Sequence, residues 1–202
     1  MRDVNPQRVI DTALELIDAE GLPALSMRRL ATELGVQAPS LYHHVASKDE
    51  LLAALVEQVG AGADTSWFTV KVWDEALLRW GRTYHAALAE HPALAPLFVY
   101  SPGRSDAALR RIDTVHGGLV GAGWSPREAT EIAAAVKFLV MGAASGSVTA
   151  GFSADPGVYA GRYPNLGSAH RLVGRPNVDS DTVELALVAL VDGLRLRLER
   201  SL

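Results

Sequence analysis

The 202-residue sequence predicts an all-α chain. Three observations carry that prediction. Apolar residues recur at three- and four-residue spacing through most of the chain. Helix-start signals (Asn-Pro, Ser-Pro and S-x-x-E) stand before those stretches, and Gly follows several of them. No segment alternates apolar and polar residues as a half-buried strand does. The predicted organisation is a three-helix module over 1–50 and a larger helical domain over 51–202.

The elements follow in order. Asn5-Pro6 is an N-cap with Pro at the first helical position. Val9, Ile10, Ala13, Leu14, Leu16 and Ile17 then form one stripe, and Gly21 ends it. Ser26 caps a second helix with Leu30, Ala31 and Leu34 inward, and Gly35 stops it. A third helix is predicted from Ala38 to His44. Ser47-Lys48-Asp49-Glu50 reads as a capping box that opens a fourth. Helical spacing returns from Trp73 to Glu90. "HPALAPLFVYSPG" (91–103) is expected to be a broken connector, because Pro interrupts it three times before its Gly. A helix is predicted from Asp106 to Leu119, and Ser125-Pro126 opens a long one to about Val148. Residues 151–179, rich in Gly and Pro, predict a long loop with one short helix near "NLGSAHRLV". Ser180 is expected to cap a last helix to Glu199. Asp181 and Glu184 lie at its start and Arg195, Arg197 and Arg200 near its end, as the helix dipole favours.

Composition narrows the function. Hydrophobic residues make up 49%, so a sizeable core can form. There is no Cys, which excludes disulfides and thiolate metal sites and fits a reducing cytoplasm, the predicted location. The first 21 residues carry acids within their apolar pattern, unlike a secretory signal. "IAAAVKFLVMGAA" (Ile132 to Ala144) is too short for a membrane span and is interrupted by Lys137, so no membrane partner is expected. Net charge is −4. Within the first fifty residues Arg2, Arg8, Arg28, Arg29 and Lys48 are outnumbered by eight acids. Any nucleic-acid face must therefore rest on the placement of a few cations.

The informative stretch is "SMRRLATELGVQAPSLYHHV" (26–45): helix, Gly-containing turn, short helix. Such a pair can hold its second helix across the major groove of double-stranded DNA. Short polar and aromatic side chains at the leading end read base edges there. Gln37, Ser40, Tyr42, His43 and His44 are placed for this. Pro39 offers an apolar face to a thymine methyl. Lys48, at the start of the next helix, can hold a phosphate together with free backbone N–H groups. A plain surface hairpin, with solvated histidines and a half-buried Tyr42, gives the same pattern.

The order of residues in "VIDTALELIDAEGLPALSMRRLATELGVQAPSLYHHVASKDELL" resembles the DNA-binding domain of the tetracycline-repressor (TetR) family. "PSLYHHV" followed by "SKDELL" is most similar to the tetracycline-repressor subfamily. A weaker likeness runs through "DTVHGGLVGAGWSPREATEIAAAVKFLVMGAASG" and "VDGLRLRLE". The resemblance implies a homodimeric, ligand-responsive transcription factor, usually a repressor, on a palindromic operator. It places base readers at Gln37, Ala38, Pro39, Ser40, Tyr42 and His43. It places phosphate contacts at Ser26, Arg28, Tyr42, His44 and Lys48. Met27 departs from the small hydroxyl residue common there.

The resemblance also implies an effector cavity lined by Trp80, Tyr84, Ser101 and Gly118, with Met141 nearby. The metal-binding positions of the subfamily fall on Phe98, Lys137 and Gly146. A ring, a cation and a hydrogen cannot ligate Mg²⁺. No metal and no cofactor is therefore expected. The expected effector is a small apolar or aromatic molecule, with any anionic group near Lys137 or His116. Packed core rings would account for the same aromatics. Dimerisation is expected through the last two long helices. One is apolar nearly all round from Ile132 to Met141, and the other carries two apolar stripes. Core helices of a monomer give that pattern too. An activator or a ligand-independent regulator fits the same fold. An enzyme has no support from the scattered His residues or from any nucleophile or phosphate-loop motif.

Overall fold

The computed structural model describes residues 4–100 and 105–200, the side chains of 99 and 100 excepted. Among the described residues there is no strand. The helices are α1 (Pro6–Glu20), α2 (Met27–Leu34), α3 (Ala38–Leu41), α4 (Lys48–Gly60), α5 (Trp73–Glu90), α6 (Ala95–Tyr100), α7 (Asp106–Gly121), α8 (Pro126–Ala144) and α9 (Val178–Glu199).

Local chemistry sets most of the starts. The side chains of Asn5, Ser26, Ser47, Ser105 and Ser125 each accept a backbone N–H three residues on. Each satisfies a donor that the helix leaves orphaned, which is worth about 1 kcal/mol. Ser125 and Glu128 form a complete capping box. At Ser47 only half of the expected box is made. Ser47 accepts from the Glu50 N–H, but the Glu50 carboxylate takes the N–H of Ala46 instead of that of Ser47.

Five expectations are corrected. The third helix stops at Leu41, because the N–H groups of His43 and His44 turn to carbonyls three residues back and tighten the chain. The connector after α5 is helical in part, with a 3₁₀ turn at Pro92–Leu94 and then α6. Pro92 and Pro96 stand in first turns, where no N–H is needed, and so they start helices there. The long helix α8 ends at Ala144, short of Val148, where Ser145 donates its hydroxyl to the Met141 carbonyl. Ser180 does not cap the last helix. α9 begins two residues earlier, after Asn177 in a left-handed conformation (φ 67°), and the Ser180 hydroxyl donates to the Asn177 carbonyl. Asp179 holds that start in place by accepting from Val148 N–H at 2.7 Å. Finally, the loop at 151–179 holds three 3₁₀ turns, not one short helix. Tyr159, buried beneath it, bonds Ser153 through its hydroxyl.

One apolar core runs from the first module into the second domain. Val9, Ile17, Leu30, Leu41, Leu51 and Leu55 are fully enclosed at one end, and Leu77, Leu88, Leu119, Val136 and Leu187 at the other. α4 belongs to both ends. Its Gln58 hydrogen bonds to Gln7 and Asp11 of α1, and its Leu55, Val56 and Val59 are buried. α4 is the covalent joint, but it is not the sole tie. His91, after α5, lies 2.8 Å from the Asp18 carboxylate of α1.

Two glycines separate packing from propensity. A Cβ on Gly81 would lie 2.6 Å from Leu187 Cδ2, so α5 and α9 cross where only hydrogen fits. A Cβ on Gly117, on α7, would meet nothing within 4 Å. Gly81→Ala should therefore lower stability by about 1–3 kcal/mol through overpacking. Gly117→Ala should raise it by up to about 1 kcal/mol through helix propensity. Denaturant unfolding of the two variants beside wild type gives both signs.

Candidate nucleic-acid interface and ligand cavity

The first candidate is built on a turn. Gly35 adopts φ 69°, a left-handed conformation that a side chain would strain, and its N–H closes α2 on the carbonyls of Ala31 and Thr32. Val36 N–H then reaches the Ala31 carbonyl at 2.9 Å. The chain reverses tightly and α3 is seated by Leu41 and Val45, both buried. That seat turns Gln37, Pro39, Ser40, Tyr42 and His43 outward, with Ala38 and His44 half-buried. Tyr42 is 49% exposed, a large aromatic surface for water to cover.

Cations gather at one edge of this face. Lys48 at the start of α4 donates to the Leu25 carbonyl at 2.6 Å, which brings it beside Ser26 at the start of α2. One of its three donors is thus used internally. Arg28 is exposed, and among the described residues no ion pair holds it. Arg29 differs: Glu20 at 2.8 Å and Glu33 at 2.6 Å neutralise it. Met27 is buried in the core.

The second candidate is a cavity of about 260 Å³ between α4, α5, α6, α7 and α8. That is just below the usual range for ligand pockets, about 300–1,000 Å³. Of the residues expected there, Trp80, Tyr84, Phe98, His116 and Lys137 line it. Trp80, Tyr84 and Phe98 form a chain of rings, with centroids 5.9 and 6.3 Å apart. Gly118 does not line the cavity. A Cβ there would lie 2.7 Å from Phe68 Cδ1, so this glycine lets the turn at Ser66–Thr69 close on α7. Met141 is also not part of the wall and packs in the core. Ser101 lies outside the described residues.

Sequence reasoning missed Glu57, Gly60, Arg111, Ile112 and Thr130 on this wall. The signal for Arg111 was present: with Val115 and Ile112 with His116 it stands at i, i+4 on α7. Glu57 carried none, since one acid near the end of an amphipathic helix reads as solvated surface.

The polar groups of the cavity are unequal. Arg111 Nη1 donates to Glu57 Oε1 at 2.6 Å, and the Ser105 hydroxyl donates to the other Glu57 oxygen. The Arg111 hydrogen bond holds the Glu57 carboxyl below its usual range. His116 has both ring nitrogens occupied, by the Ile112 carbonyl at 2.8 Å and the Thr130 hydroxyl at 3.1 Å. Burial pushes the Tyr84 phenol up to about 12. Lys137 has no ion-pair partner among the described residues, and burial alone pushes its ammonium down.

A pH test follows for Glu57. Its folded pKa is depressed, so its stabilisation is present above the unfolded value of about 4.3 and is lost as pH falls through the folded value. Glu57→Gln should be less stable than wild type at pH 7, and the two unfolding curves should converge below about pH 4. A gap that persists unchanged to pH 3 would contradict the ion pair.

Comparison with known proteins places these features. The model of bacterial regulatory proteins of the tetR family matches residues 9–55, and that of the tetracyclin repressor-like C-terminal domain matches residues 70–198. An HTH-type transcriptional regulator of Saccharopolyspora erythraea is 30% identical over 138 residues, 68% of this chain and 58% of the relative. The class D tetracycline repressor protein of Escherichia coli is 44% identical over 59 residues, 29% of this chain and 27% of that protein. The chain thus covers little more than half the length of the first relative and less of the second. Apo ActR from Streptomyces coelicolor has a similar structure at TM-score 0.80 and 27% identity, with all of both chains covered. ActR has also been solved with actinorhodin and with (S)-DNPA. Among the described residues no helix is long and apolar enough to cross a membrane. With well over half its length matched by the C-terminal model and its helix-turn-helix by the other, the chain belongs to the tetR family, whose members are DNA-binding transcriptional regulators and not enzymes.

Proposed function

We propose that the chain represses transcription as a homodimer on a pseudo-palindromic operator and leaves it when a small apolar or aromatic effector fills the cavity. The observation that carries this reading is the position of α4. Its first turn lies beside the reading face through Lys48, and its last turn walls the cavity through Val56, Glu57 and Gly60. An occupant of the cavity therefore presses on the helix that carries the DNA module. ActR, with its ligand complexes, gives the reading independent support.

On DNA, α3 enters the major groove. Gln37, Ala38, Pro39, Ser40, Tyr42 and His43 face base edges, and Ser26, Arg28, Tyr42, His44 and Lys48 meet phosphates. Half-sites lie about 34–36 Å apart, so small movements of α4 spoil the spacing. A ligand shifts the balance only by its differential affinity for the two states. Phe98 and Lys137 on the wall argue for release without Mg²⁺.

The dimer reading is supported by apolar surface on the last two long helices. Phe138 of α8 is 72% exposed and Leu185 of α9 73%, a cost that a partner's helices would remove. Gly142 and Gly146 meet nothing within 4 Å and leave room for close approach.

Fragments selected from the source genome test the reading by gel shift. Tyr42→Ala should weaken binding by about 1–3 kcal/mol. Lys48→Ala should act evenly across sequences and flatten the salt slope by about one unit. A double variant that binds like wild type would put the reading face elsewhere. Phe138→Glu with Leu185→Glu should sediment as a helical monomer that no longer binds the fragment, and a persistent dimer removes these two faces from the interface.

A further inference from the structure

We infer that the effector is an apolar carboxylic acid, bound as its anion by Lys137, and that it signals by drawing Arg111 away from Glu57. The inference rests on reading the cavity as the effector site. It starts from charge. The described side chains on the wall carry two full cations, Arg111 and Lys137, and one anion, Glu57. Arg111 and Glu57 satisfy one another at 2.6 Å, and their side chains are only 24% and 31% exposed. His116 is occupied at both nitrogens. One half-buried ammonium is left over, set among Ala133, Ala134 and the aromatic wall. Its burial without a counter-ion penalises the charged form, as its lowered pKa also records. The cavity is one negative charge short of balance. A neutral apolar ligand would bury that ammonium further. An apolar monoanion would neutralise it.

The second half of the inference comes from what Glu57 holds. Its carboxylate takes Arg111 with one oxygen and the Ser105 hydroxyl with the other. Ser105 also caps α7 by accepting the Ala108 N–H, so one α4 side chain clasps the first two turns of α7. Arg111 stands against Gly60 and within electrostatic reach of the Tyr84 phenol, which places it on the cavity's inner side. A guanidinium has five donors, so Arg111 can turn from one carboxylate to another. A ligand whose carboxylate reaches from Lys137 toward Arg111 offers that exchange. Once Arg111 turns to the ligand, Glu57 keeps only Ser105, and α4 is freed from α7 at the end opposite the DNA module. Lys137 is the specificity residue, and Glu57 is a positioning residue that acts through α4.

The probes are 2-naphthoate and 2-naphthamide, which share a ring system and differ in charge at pH 7. Binding is read by tryptophan fluorescence, to which Trp80 on the wall contributes. Wild type should bind the naphthoate at least tenfold more tightly than the amide. Lys137→Met should erase that preference and leave amide binding as it was. Glu57→Gln should keep naphthoate binding, which also shows that it folds, while its affinity for a selected operator fragment falls at least tenfold without any ligand. A ratio near one in wild type, or no binding of either probe, overturns the charge assignment. Wild-type operator affinity in Glu57→Gln overturns the clasp. Should wild type retain no genomic fragment while naphthoate binding still depends on Lys137, the operator reading fails and the charge assignment stands.

Discussion

The molecule depends on one helix serving two cores. α4 is thirteen residues long, and Leu51, Leu55, Val56 and Val59 are buried along it. The helix packs on α1 of the first module and on α5 and α6 of the larger domain. Neither end could shift alone without uncovering leucines, each worth roughly 1.5–3 kcal/mol when fully buried. A rigid, doubly buried helix of this kind moves as a body. That is why polar bonds at its two ends, Lys48 to Leu25 and Glu57 to Arg111, matter beyond their own strength. They set where a stiff lever rests.

The two ends are built in opposite ways. At the reading face, apolar seating is complete: Leu41 and Val45 fix α3 from below and leave its polar edge in water. The module is acidic in sum, yet Arg29 is cancelled locally by Glu20 and Glu33, while Arg28 and Lys48 remain on the face. Placement thus replaces excess charge. At the cavity, the rings of Trp80, Tyr84 and Phe98 are almost wholly covered yet border open space. A core that packed for stability alone would close over them. The space is kept open beside a cation with no ion-pair partner among the described residues, and both features are costs that a bound molecule removes.

Much of this was legible in the residues. The caps at Asn5, Ser26, Ser47 and Ser125 gave helix starts to the residue, because a side-chain oxygen before an apolar stripe has one dominant use. The Gly35 turn was legible because a glycine after an apolar stripe ends a helix, whereas α3 has no side-chain cap and is shorter than its pattern suggests. The connector at 91–100 departs from the expectation because Pro breaks a helix only past its first turn, and Pro92 and Pro96 stand within first turns. The start of α9 departs from the expectation because no side chain caps it: Asn177 turns the chain left-handed, and Asp179 of the first turn is tied to the Val148 N–H. Five of the residues expected at an effector site line the cavity, as unusual side chains within apolar stripes. Gly118 and Met141 lie off this wall, because resemblance fixes an angle around a helix only loosely. Phe68, thirteen residues before Gly81, took the space beside Gly118. The Glu57–Arg111 pair stayed hidden because its partners stand 54 residues apart, and no local pattern links them.

Amide hydrogen exchange along residues 48–60 tests the central claim most directly, because it follows α4 itself. It is measured on the free protein, on its complex with a selected operator fragment, and on that complex with a cavity ligand added. The account predicts that the operator slows exchange in the last turn of α4, where no DNA lies, and that the ligand restores it as the fragment is released. Exchange at residues 56–60 that is the same in all three states would show that α4 does not connect the cavity to the reading face.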